Sequence, residues 1–238
     1  MLKHIVVSVI GSCRVYTPSN YFVESSNVEL GHSHSDWFTH STPEVIQKIR
    51  ILNNELPLDK NLVPLIVRDY KKKYKPHAHK VDFFKKTDIF IVEISSVRSI
   101  KFNGYYLQQI CFKEAKLSND KVLHSFLDSV NIINMSETDM YHDLAIIHSL
   151  LGNKPMLLVT HNLLKKPDDT IAEERLNIKS ALSKYADENM NVICYDPTED
   201  ILKYGLDFSM VDHNHYSKEF EKVMASAFLS RVYSLVSI

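Results

Sequence analysis

Short apolar runs alternate along this chain with longer stretches in which apolar residues return every three or four positions. Met1 to Ile10 reads M-L-K-H-I-V-V-S-V-I and stops at Gly11. A β-branched run of this kind, ended by a glycine, predicts a buried parallel strand. The same signature recurs at Asp88–Ser95 (D-I-F-I-V-E-I-S), Pro155–Thr160 (P-M-L-L-V-T) and Asn191–Asp196 (N-V-I-C-Y-D). A weaker one at Asn27–Leu30 supplies a second strand in chain order. Helical periodicity fills the gaps. Thr42-Pro43-Glu44 opens a helix with proline in its first turn and an apolar face of Val45, Ile46, Ile49 and Leu52. Ser136-Glu137-Thr138-Asp139 is a capping box for a helix to Leu151, stopped by Gly152. Asp169–Asn189 reads as a long helix with Ile171, Leu176, Ile178, Leu182 and Tyr185 as its apolar contacts. Ser217 caps a last helix, 217–236, with Phe220, Val223, Met224, Ala227 and Phe228 at helical spacing.

Strands alternating with helices at these distances predict βαβ units. The expected architecture is a three-layer α/β/α fold with a mostly parallel five-stranded sheet and flavodoxin-like topology. Residues 96–135 read as an insertion after the third strand, with Lys101–Gln108 as a small hairpin. No repeat, low-complexity stretch or linker stands out, so a single domain over 1–238 is expected.

Composition narrows the function classes. With 45% hydrophobic and 24% charged residues, the chain is neither disordered, collagenous nor membrane-spanning. Lys and Arg number 28 against 29 Asp and Glu, so no overall basic field calls for a nucleic-acid partner. Only 5 glycines occur, and neither G-x-G-x-x-G nor a P-loop is among their contexts, which argues against a nucleotide cofactor. Cys13, Cys111 and Cys194 are odd in number and far apart, as expected of thiols in a reducing compartment. The apolar run Ile5–Ile10 is too short for a secretion signal or a bilayer span. A cytoplasmic location without membrane association is the expectation.

Ligand sites of open parallel sheets lie at the carboxyl ends of the strands. Four clusters fall there: Gly11-Ser12-Cys13-Arg14, Glu93-Ile94-Ser95-Ser96-Val97-Arg98, Thr160-His161-Asn162, and Asp212-His213-Asn214-His215-Tyr216-Ser217 just before the last helix. A serine hydroxyl becomes a nucleophile when a base takes its proton. His215 is placed to be that base, and Asp212, three residues earlier, to hold its tautomer and stabilise the imidazolium. Glu93 ends a buried strand and needs a partner, for which Arg14 and Arg98 are the candidates.

Gly11-Ser12 at the end of the first strand, with Asp212-x-x-His215 before the final helix, resembles the SGNH (GDSL-like) hydrolase superfamily. Ile10-Gly11-Ser12-Cys13-Arg14 is similar to its GSCFA-type and capsular-polysaccharide acetyltransferase-like branches. The resemblance implies a serine-dependent ester hydrolase or O-acyl (O-acetyl) transferase acting on a carbohydrate or small-molecule ester. It implies catalytic roles for Ser12, His215 and Asp212 and no cofactor. The chain departs from the family pattern after the third strand, where Glu93-Ile94-Ser95-Ser96 replaces the glycine-x-asparagine-aspartate block. The oxyanion and substrate-binding set expected here is therefore Gly11, Asn162, Arg98 and His40, with Gly31 the candidate for the family's second glycine.

Three other readings compete. Cys13 is a thiol beside Ser12, more readily explained as a small packed residue. His32/His34, His77/His79 and His213/His215 are H-x-H pairs, but a zinc site needs three or four convergent ligands. No metal is expected. A non-catalytic ligand-binding module would also tolerate the missing asparagine. Arg68–Lys86 holds eight basic residues against Asp69 and Asp82. This is either a solvated face or a dock for a phosphate-bearing acyl donor.

Overall fold

The computed structural model describes residues 4–24, 27–32, 37–67, 82–117, 129–165 and 169–236. Five strands form its central sheet: β1 (Ile5–Ile10), β2 (Val28–His32), β3 (Ile89–Glu93), β7 (Met156–Val159) and β8 (Val192–Tyr195). Their order is β2-β1-β3-β7-β8, and every pairing is parallel. This is the α/β architecture expected from the sequence. The strands are apolar on both faces because both are covered. Along β3, Phe90 and Val92 enter one core while Ile89 and Ile91 enter the other. The first core packs against α2 (Thr42–Leu52), α4 (Glu137–Leu150) and α5 (Glu173–Asp187) through Val45, Ile49, Leu144, Ile147, Ile178 and Leu182. The second packs against α1 (Cys13–Ser19) and α7 (Lys218–Val236) through Val15, Phe220, Met224, Phe228 and Val232.

The expected hairpin is β4 (Arg98–Phe102) and β5 (Tyr105–Leu107). Asn103 and Gly104 join them with φ of 46° and 84°. Two left-handed residues in a row are what a tight hairpin turn matched to strand twist requires. A third strand, β6 (Asn131–Asn134), adds to β4 and makes a small antiparallel sheet, where only insertion was expected. The helix expected from Asp169 begins later, after Ala172, because Asp169 itself has φ of 64°. Leu176 is accordingly exposed instead of packed. The segment after β8 turns into α6 (Thr198–Tyr204) before the chain reaches the last helix. Among the described residues, no helix is long and apolar enough to cross a membrane.

A buried lysine ties the site-bearing end of β1 to its surroundings. Lys48 of α2 donates to the Tyr16 hydroxyl at 2.8 Å and the Trp37 carbonyl at 2.7 Å. Tyr16 donates in turn to the Val9 carbonyl at 2.8 Å. Burial pulls the Lys48 pKa down to about 7.

Candidate active site

Ser12 follows β1 and is the N-cap of α1, its Oγ accepting from Arg14 N at 3.4 Å. Its position depends on Gly11. A Cβ at Gly11 would stand 2.7 Å from both Glu93 Cβ and Val15 Cγ2. That close approach lets the buried Glu93 carboxylate reach under the turn. Glu93 Oε2 accepts the Ser12 backbone N–H at 2.7 Å. Glu93 Oε1 accepts from Arg14 Nε at 2.8 Å and Nη2 at 2.5 Å. Arg14 and Glu93 are 5% and 0% exposed, so their charges are removed from water together. Arg14, not Arg98, is therefore the partner of Glu93. Arg98 is exposed on β4.

A strip ending in His40 fills the rim between β1 and β3. Thr39 N donates to the Gly11 carbonyl at 2.9 Å, and Ser95 N and Ser96 N donate to the His40 carbonyl at 2.8 and 2.9 Å. His40 Nδ1 lies 3.1 Å from Ser95 Oγ. Burial lowers the His40 pKa, so its ring is neutral around pH 7. His40 Nε2 is a buried nitrogen with no hydrogen-bond partner among the described residues.

At the end of β7, Asn162 is fully buried. Its Nδ2 donates to the His213 carbonyl at 3.3 Å, and its Oδ1 accepts from Arg175 Nη1 at 2.7 Å. Arg175 also donates to the Asn162 carbonyl at 3.0 Å and to Asn214 Oδ1 at 3.4 Å. Asn162 and Arg175 thus clip the 212–215 loop to the sheet. Beside them, burial drives the His161 pKa down to about 2, and the charges of Arg14 and Arg175 push it the same way. The His161 imidazole is neutral.

The loop itself is a hairpin of β9 (Met210–Asp212) and β10 (His215–Tyr216). Asp212 Oδ1 accepts the backbone N–H groups of Asn214 and His215 at 2.7 and 2.9 Å. His215 Nδ1 lies 2.9 and 2.8 Å from the two Asp212 oxygens. The His215 bond, with that from Asn214 N–H, holds the Asp212 carboxyl below the usual carboxylate range. An ionised Asp212 favours the tautomer with the proton on Nδ1, which leaves His215 Nε2 unprotonated. Both side chains are about half exposed, at 56% and 54%. β10 packs against α1, the helix that Ser12 caps. Ser217 caps α7, accepting Phe220 N at 3.1 Å.

Cys13 is half buried, and burial followed by the Glu93 charge raises its pKa. It is a protonated thiol near pH 7 and a poor nucleophile. Gly31 lies within β2, where a Cβ would stand 2.8 Å from Val6 Cγ1. His34, His77, His79 and the basic stretch from Arg68 through Lys80 lie outside the described residues. A groove of about 640 Å³ runs beside the hairpin, lined by Leu163, Ile171, Leu202, Leu206, Val211 and Asp212 among others. Sequence reasoning missed Arg175, since one arginine in the first turn of a polar helix carries no local signal.

A five-stranded parallel sheet in this order, with helices on both faces, is the SGNH (GDSL-like) hydrolase fold. Two solved structures share that fold. One is a member of the lipolytic protein G-D-S-L family from Veillonella parvula, with 10% identity, a TM-score of 0.53, and coverage of 95% of this chain and 97% of that one. The other is a Clostridium thermocellum family 3 carbohydrate esterase, with 13% identity, a TM-score of 0.50, and coverage of 99% and 98%. Within this class the chain belongs to the TviD N-terminal domain family, whose pattern matches residues 5–122 and 116–231. It is 22% identical over 271 residues to the Vi polysaccharide biosynthesis protein TviD of Salmonella typhi. That alignment covers 95% of this chain but 31% of the relative, so the chain spans about a third of that protein's length.

Proposed function

We propose that this chain processes O-acyl esters, as an acyltransferase or esterase, with Ser12 as nucleophile, His215 as base and Asp212 as the group that orients it. The observation that carries this reading is the Asp212–His215 pair, bonded through Nδ1 at 2.8 Å on a hairpin packed against α1. Ser12 Oγ attacks the acyl carbonyl carbon while its proton passes to His215 Nε2. The tetrahedral intermediate collapses, the leaving alkoxide takes that proton, and acyl-Ser12 remains. An acceptor hydroxyl then attacks the acyl group, giving its proton to His215. Collapse returns the proton to Ser12 and releases the new ester or acid. Water as acceptor gives hydrolysis, and a sugar hydroxyl gives transfer. His40 Nε2, unpartnered among the described residues at this rim, is a donor to the substrate in its Nε2–H tautomer.

A carbohydrate O-acetyl ester is the favoured substrate class. The relative's part in polysaccharide biosynthesis supports it, as does the carbohydrate esterase with the same fold. The basic Arg68–Lys86 stretch supports a phosphate-bearing acyl donor. The three cysteines remain thiols, in keeping with a cytoplasmic setting. Turnover of p-nitrophenyl acetate and an acetylated oligosaccharide by wild type, Ser12→Ala and His215→Gln tests the reading. Each variant should lose at least about 10³-fold in kcat while melting like wild type. Full turnover by Ser12→Ala would remove the nucleophile assignment.

A further inference from the structure

We propose that Arg14 is a catalytic residue, its free Nη1 amino group donating to the oxyanion that forms on the substrate carbonyl when Ser12 attacks. This rests on the Ser12 reading above and adds a charged oxyanion donor to it. A tetrahedral oxyanion needs preorganised donors within about 3 Å. The Ser12 N–H, one donor that such a site would ordinarily offer, is held by Glu93 Oε2 at 2.7 Å, and Asn162 Nδ2 gives one of its two protons to the His213 carbonyl. The Glu93 carboxylate also puts a buried negative charge directly behind the nucleophile. A second negative charge developing there calls for a cation close by.

Arg14 is that cation. It sits two residues from Ser12 and shares the same carboxylate. Nε and Nη2 both donate to Glu93 Oε1, which fixes the plane of the guanidinium. Nη1 is buried and has no hydrogen-bond partner among the described residues. A buried donor without a partner is destabilising, so its persistence in a 5%-exposed side chain points to a partner that arrives with the substrate. After burial, the larger effect, its charge also bears on Cys13, His40, His161 and Tyr216, lowering the pKa of each. A guanidinium offers N–H donors and no acceptor, so it can stabilise the oxyanion without taking up the proton on His215.

The test is steady-state kinetics on p-nitrophenyl acetate, a neutral ester, with thermal unfolding measured alongside. The double variant Arg14→Met/Glu93→Gln removes both buried charges and keeps an acceptor for Ser12 N–H. It should fold, hold KM within about threefold, and lose about 10²–10³ in kcat. Arg14→Lys keeps a charge opposite Glu93 but loses the fork. It should lose about tenfold or more in kcat with KM unchanged, which serves if the double variant does not fold. A wild-type kcat in either folded variant overturns the assignment. So does a rise in KM alone, which would make Nη1 a ground-state binding group. A dead Ser12→Ala beside a fully active Arg14 variant would leave the triad standing and remove only Arg14. A fully active Ser12→Ala would remove both.

Discussion

Gly11→Ala is the smallest change that reaches the centre of this site. Gly11 has no positive φ, so alanine fits its backbone, and the whole effect is steric. The new methyl meets Val15 Cγ2 and Glu93 Cβ at 2.7 Å and Glu93 Oε2 at 3.0 Å. Val15 can yield by a rotamer change in α1, which costs about 1 kcal/mol. Glu93 Cβ cannot, because it is fixed to a central strand paired on both sides. The turn carrying Ser12 must therefore lift off Glu93, stretching the 2.7 Å bond to Ser12 N. Overpacking of this kind costs about 1–3 kcal/mol, and loss of a charged hydrogen bond pushes toward the upper end. We expect about 3 kcal/mol less stability by urea unfolding and a fall in kcat of about 10²-fold, since a misplacement of about 1 Å has that effect. Gly152→Ala is the control. It has φ of 74° and nothing within 4 Å of an added Cβ, so it should cost about 1 kcal/mol of backbone strain and no activity. Wild-type stability and turnover in Gly11→Ala would refute the clasp between the Ser12 turn and Glu93.

Other outcomes follow from the same geometry. Burial pushes the Glu44 carboxyl up to about 8. The folded chain thus holds a proton that the unfolded chain releases near pH 4.3, and between these values wild type loses stability relative to Glu44→Gln by about 1.4 kcal/mol per pH unit. Urea midpoints at pH 5 and pH 7.5 check this, and a gap that does not widen with pH would contradict it. Asn162→Ala removes the clip on the His213 carbonyl, so we expect cleavage at the 210–216 hairpin in limited proteolysis and a roughly tenfold loss of kcat. A loss of about 10²-fold with an intact, protected hairpin would instead give the amide a direct oxyanion role. Asp212→Asn keeps the shape of the pair but no longer holds Nδ1–H toward the carboxylate. It should cost about 10⁴-fold in kcat at neutral pH, and a near-normal rate would separate His215 from the chemistry.

Much of the fold was legible because its strands are buried on both faces. Runs such as Ile89–Glu93 and Met156–Val159 have no polar alternation to confuse with a helix or an exposed strand. β6 was illegible for the opposite reason. Asn131–Asn134 has two apolar residues and is largely exposed, so only its pairing with β4 makes it a strand. The helix start at Asp169 was misread because acidic residues mark many first turns, whereas here Asp169 is left-handed and the cap falls at Ala172. Residue order makes Ser12, Asp212 and His215 candidates, and the structure adds the bond between Asp212 and His215. The roles of their neighbours were not legible, because they depend on contacts between distant strand ends. Arg14 and Arg98 were equal partners for Glu93 on paper. The direction of α1 turns the first inward, and the register of β4 leaves the second in solvent.

The most direct test is to treat the protein with a fluorophosphonate and map the adduct by mass spectrometry of its peptides. With Ser12 as the proposed nucleophile and His215 on the adjoining hairpin as its proposed base, a single phosphonyl group should appear on Ser12. It should persist in Cys13→Ala and vanish in Ser12→Ala and His215→Gln. An adduct on Cys13, an adduct that survives in Ser12→Ala, or no adduct on a protein that turns over esters would contradict the account.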